Sequence, residues 1–133
     1  MRARVAWLVL AVLTLACALA PAEPTSSLSL DGAPFAVTRC SNDQVPARGV
    51  DLHGAAGDKI RIVQTWGGRA SVAYFAAGAE RATVISERCG TITTRASAGD
   101  SSALDGEATL DCAGWGRSVV GEARFRGCGG GTR

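Results

Sequence analysis

The chain has 133 residues, enough for one domain with a modest core. Its 14 basic and 12 acidic residues give +2 overall, yet Arg2 and Arg4 lie in a segment that reads as a leader, and without them the charges balance. A neutral mature chain argues against a nucleic-acid partner, and the preference for Arg over a single Lys fits a GC-rich genome rather than a binding role.

Residues 1–4 form a positive n-region, and residues 5–16 are apolar except for Thr14. Such a run is shorter than the ~20 residues of a membrane span and suits a signal-peptide h-region. Ala20-Pro21-Ala22 is an A-x-A site that leaves Glu23 as the mature N-terminus. The alternative is Leu13-Thr-Leu-Ala-Cys17, which resembles a bacterial lipobox with Cys17 as the lipidated residue. Thr14 stands where that family prefers Leu, and Leu15 where it prefers a small residue. Both routes take the chain out of the cytoplasm. The expectation is a signal peptide over 1–22 (or 1–16 before a lipidated Cys17), one domain over 23–128 and a disordered tail over 129–133. The protein is then secreted or periplasmic, or lipid-anchored at the envelope.

Residues 23–27 are polar and read as a flexible lead. Short apolar–polar runs at 28–30 and 35–38 flank the turn cluster Asp31-Gly32-Ala33-Pro34. A loop is predicted over 41–48 and a strand over 49–52. Residues 58–78 form the centre of the pattern: two β-branched and aromatic runs around Gly67-Gly68, a pair able to take positive φ at both turn positions. With Trp66 and Arg69 closing the turn, Ile62 faces Ala73, Ile60 faces Phe75 and Val63 faces Val72. Strands follow at 82–86 and 91–95, then a polar loop over 96–102. A second hairpin joins 108–112 to 118–126 around residues 113–117. In its last strand Val119, Gly121, Ala123 and Phe125 alternate with Glu122, Arg124 and Arg126, as in a half-buried strand. About eight short strands without a convincing helix predict an all-β, antiparallel sandwich or barrel.

The core materials are thin, since Phe35, Trp66, Tyr74, Phe75, Trp115 and Phe125 are the only aromatics after the leader. Small exported domains of this kind rely on disulfides. Four cysteines allow three pairings, and strand register chooses among them. A hairpin of 91–95 with 107–112 sets Thr93 against Ala108, Thr91 against Leu110 and Cys89 against Cys112. Cys112 and Cys128 lie ~10 residues out of register in the last hairpin, too far apart to bridge. Cys89–Cys112 with Cys40–Cys128 is therefore predicted, each worth roughly 3–5 kcal/mol by loop entropy. No C-x-x-C pair supports zinc, and neither metal nor cofactor is expected.

Three features bear on function. His53, the only histidine, shares a strand face with Asp51, an arrangement that seeds an acid–base pair or a metal site; with no second histidine, a solvated strand-end residue is expected. Gly99-Asp100-Ser101-Ser102 resembles the Gly-Asp-Ser-Gly around the nucleophile of trypsin-like serine proteases, with Ser102 in place of Gly. Those enzymes need two barrels and about twice this length, so a hairpin loop is expected here. Trp66 with Arg69, and Trp115 with Arg117, place aromatic–Arg pairs at two hairpin tips. Trp and Arg are enriched at binding hot spots, while the bland alternative folds each Trp back over its own hairpin. The expectation is a small exported domain, monomeric and non-catalytic, that binds a protein or glycan at the cell surface. The alternatives are a secreted enzyme inhibitor or small hydrolase, and a structural envelope component.

Overall fold

A computed structural model describes residues 25–42, 45 and 48–129. The predicted leader, the lipobox Cys17 and most of the tail lie outside the described residues. The elements are β1 (Thr25–Ser26), β2 (Ser29–Leu30), β3 (Ala33–Pro34), β4 (Val37–Ser41), β5 (Gly49–Gly54), β6 (Lys59–Gln64), β7 (Ala70–Phe75), β8 (Thr83–Ser86), β9 (Gly90–Ser97), β10 (Asp100–Gly114) and β11 (Arg117–Cys128). Eight strands have four residues or more, as the turn spacing implied, and three two-residue pieces add to them. The last two strands, of 15 and 12 residues, are longer than expected. No α-helix occurs among the described residues, and no helix is long and apolar enough to cross a membrane.

All pairings are antiparallel, in two sheets. One has the order β3-β2-β11-β10-β9, with β1 also on β11; the other is the meander β4-β5-β6-β7-β8. The meander is thus inserted between the first and last parts of the other sheet. Val50, Leu52, Ile60, Ile62 and Val72 from the meander meet Ile92, Leu110, Val119 and Phe125 from the partner sheet, all fully or nearly fully buried. Each such side chain contributes ~1.5–3 kcal/mol on burial.

Both predicted disulfides form. Cys40–Cys128 ties β4 of one sheet to the end of β11 in the other, and Cys89–Cys112 ties the β8–β9 crossover to β10. Phe35 is buried between β3 and β4, where the chain first changes sheets.

Two registers differ from expectation by one residue. In the central hairpin Ile60 faces Tyr74, Ile62 faces Val72 and Val63 faces Ser71. Thr65 and Arg69, not Trp66 and Arg69, close the turn: the Thr65 N–H donates to the Arg69 carbonyl at 2.8 Å, leaving Trp66–Gly68 as a 3-10 turn. A one-residue slip exchanges sheet faces. The observed register sends Ile60, Ile62, Val72 and Tyr74 to the core together and leaves Phe75 outside, with Lys59 and Arg61 4.6 and 4.8 Å from its ring centre.

In the β9–β10 hairpin Thr93 faces Glu107 and Thr91 faces Thr109. The predicted seven-residue polar loop shrinks to a turn at Ala98-Gly99, and a bulge between Asp100 and Leu104 absorbs the difference. Cys89, just before β9, still reaches Cys112, because the Asp111 N–H donates to the Cys89 carbonyl at 2.9 Å.

Candidate functional site

Both tip tryptophans are exposed. Trp66 is 95 % and Trp115 86 % solvent-accessible, so neither folds back on its hairpin. The two tips differ in construction. At the first, Gly67 and Gly68 take φ of 70° and 73°, the left-handed region where only glycine is unstrained. The Thr65 hydroxyl donates to the Arg69 carbonyl at 3.1 Å, and Arg69 bridges to Thr91 of the other sheet. Trp66 therefore stands on an anchored base. At the second tip Trp115 and Gly116 form a two-residue turn with φ of 54° and 74°, which suits the right-handed strand twist but disfavours a bulky first residue.

Beside Trp66 lies a groove of about 620 Å³. Its floor is the outer-facing cross-strand pair Val63 and Ser71, and its end is Thr65, Trp66 and Arg69. The opposite wall is Glu87 and Arg88 from the β8–β9 crossover. That wall is held by the neighbouring Cys89, whose N–H donates to the Ala70 carbonyl at 3.1 Å and whose sulfur is bonded to Cys112. The Arg88 N–H also donates to Ser86 Oγ at 3.3 Å. Among the described residues Arg69, Glu87 and Arg88 belong to no ion pair.

Arg117 behaves otherwise. Its Nη1 lies 2.7 Å from Asp31 Oδ2, and its guanidinium sits 4.7 Å from the centre of the Tyr74 ring. Asp31 also accepts the Ser118 N–H at 2.9 Å. That backbone donor holds the Asp31 carboxyl below the usual range against the opposing effect of burial, and Arg117 lowers it further. The Tyr74 hydroxyl, pushed up by burial and by Asp58, donates to Asp58 Oδ2 at 2.9 Å. The cation predicted to accompany Trp115 is thus taken into a network joining the two sheets. The four predicted contact residues do not form one surface. Thr91, which Arg69 bridges, pairs with Thr109. Trp115 lies beyond the far end of that strand, ~20 Å from Thr109 at ~3.3 Å per residue.

Asp51 is 1 % exposed although it points to the outer side of the meander. Burial raises its carboxyl, but the fork of Arg61 at 2.8 and 2.9 Å and Lys59 at 3.2 Å outweigh that and hold it low. Its oxygens are engaged by these cations. His53 is partly buried rather than solvated, with Nε2 2.8 Å from Ser41 Oγ. Ser41 itself is buried, which removes it as an accessible nucleophile. Asp100 accepts both the Ser102 N–H at 3.0 Å and the Ser102 hydroxyl at 2.6 Å. The protease-like tetrapeptide is therefore turn and bulge. No cluster of three or more metal-binding side chains occurs among the described residues.

Val63, Thr65, Ser71, Glu87 and Arg88 were not foreseen as site residues. The only signal for the wall was its position before a bridged cysteine. Searches against protein-family models, characterised proteins and solved structures give no match.

Proposed function

We propose that this is a small exported binding domain, acting without catalysis through tryptophans presented on its hairpin tips. The observation that carries the proposal is Trp115, 86 % exposed at a φ of 54°. The same molecule contains a control. Asp31-Gly32 takes the same left-handed pair of conformations, φ 52° and 82°, with residues suited to it. A bulky side chain in that region is strained by on the order of 1 kcal/mol, and Trp115 recovers nothing by burial. Strain without a folding benefit fits a residue kept for contact. Two structural disulfides suit the oxidising compartment that the leader implies, and a protein or glycan at the cell surface is the partner class.

The test is co-sedimentation of the purified protein with bacterial cell envelopes and with insoluble polysaccharides, comparing wild type with W66A, W115A and the double variant. Loss of sedimentation in the double variant, with unchanged thermal stability, is expected. Equal sedimentation of all four proteins would exclude the tips as the contact surface.

A further inference from the structure

We infer that the Trp66 groove takes an acidic saccharide, a chain of sugar rings bearing carboxylates. The inference deepens the proposal above and rests on it.

Size comes first. About 620 Å³ lies within the range of small-ligand sites. The apolar part of the groove is one indole and Val63, far less than the desolvated centre of a stable protein–protein interface. An open trough of this size suits one or two units of an extended chain better than a globular partner.

Chemistry comes next. A sugar ring offers a flat patch of C–H groups on one side and hydroxyls around its rim. The exposed indole of Trp66 matches the patch, since an aromatic face carries partial negative charge and the C–H groups carry partial positive charge. Around it, Ser71 supplies a hydroxyl, and Thr65, whose proton goes to the Arg69 carbonyl, and Glu87 supply acceptors, which suits the rim. Charge then narrows the class. Arg69 and Arg88 enter the groove from different segments, and neither belongs to an ion pair among the described residues. Arg117 shows what this chain does with a structural arginine: it is given Asp31 and the Tyr74 ring. Two unpaired guanidinium forks against one carboxylate leave the groove one positive charge in excess. A guanidinium is shaped to receive a carboxylate in two parallel bonds. Single-stranded nucleic acid would also use a Trp and two arginines. Glu87 in the wall, and the balance of charges left once the predicted leader with Arg2 and Arg4 is removed, count against a polyphosphate.

In a W7F/W115F protein Trp66 is the sole tryptophan, so its emission reports on the groove directly. The probe is a short oligogalacturonate, beside its methyl ester, which keeps the rings and removes the charge. The acid form is expected to change Trp66 emission saturably and to bind at least tenfold more tightly than the ester. R69Q and R88Q are each expected to weaken it several-fold in calorimetry with melting temperatures unchanged, and W66A to abolish it. Equal binding of acid and ester would overturn the charge assignment while leaving the tryptophan tips as a contact surface. Absence of binding by both forms, or tighter binding of an oligodeoxythymidylate, would overturn the saccharide assignment. Failure of the broader proposal reads differently, as envelope sedimentation that ignores both tryptophans.

Discussion

The β6–β7 and β10–β11 hairpins both end in glycine and tryptophan, and both carry an arginine just after the turn. Beyond that they part. Arg69 is exposed beside a groove and in no ion pair among the described residues; Arg117 is half-buried, stacked on Tyr74 and paired with Asp31. The same local chemistry leaves an open groove at one end and gives inter-sheet cohesion at the other, and what separates them is the neighbouring chain. The β8–β9 crossover brings Glu87 and Arg88 beside Trp66, whereas the Asp31-Gly32 turn brings a carboxylate beside Arg117.

The strongest way to break this comparison is to release the crossover. C89S/C112S is expected to lower stability by ~2–5 kcal/mol in denaturant titration. At temperatures where the variant stays folded it should also weaken binding at Trp66, because the Glu87–Arg88 wall loses its anchor. C40S/C128S should destabilise comparably and leave that binding intact. Identical binding by both pairs would mean that the wall does not contribute.

Next in size is the contrast between the arginines. R117A removes a partly exposed ion pair and a cation–π contact, for about 1 kcal/mol together, while R69A should stay within ~0.5 kcal/mol. Comparable losses from the two would erase the distinction drawn here.

The tryptophans follow. W66A and W115A should each change stability by less than ~1 kcal/mol, since neither side chain is buried. W115N should raise stability by ~0.5–1 kcal/mol, because Asn accepts the left-handed conformation that Trp resists. A W115N protein less stable than wild type would show that Trp115 packs after all.

The smallest effect is in pH. Asp31's native pKa is lowered, so its pairing contributes fully above the ordinary carboxylate value of 3.8 and is lost as pH falls through the lowered native value. The stability gap between wild type and R117A should therefore hold from neutrality down to mildly acid pH and close only below it. A gap that closes near neutrality would point to another titrating group.

Much of the architecture was legible in local pattern. Gly67-Gly68 marked one tip, alternation along 118–126 marked a half-buried strand, and strand register, right to within one residue, selected the two bridges. Period and turn chemistry are short-range properties, carried by residues adjacent in the chain. Register was not legible to one residue. Whether Thr65 or Trp66 closes the first turn depends on sending Ile60, Ile62, Val72 and Tyr74 to one shared core, and that core exists only when the second sheet is present. The tryptophans could be placed at the hairpin tips from the sequence, but neither their exposure nor their surroundings could be read there. Glu87 and Arg88 reach Trp66 through a crossover between sheets, and Asp31 reaches Arg117 across most of the chain. The sequence by itself determined which segments are strands and roughly where they turn, because neighbours in the chain specify these, and strand lengths were enough to exclude the wrong sulfur links. Only tertiary packing decided that, among the described residues, Arg117 is in an ion pair and Arg69 is not, because that depends on residues that meet only after the two sheets close.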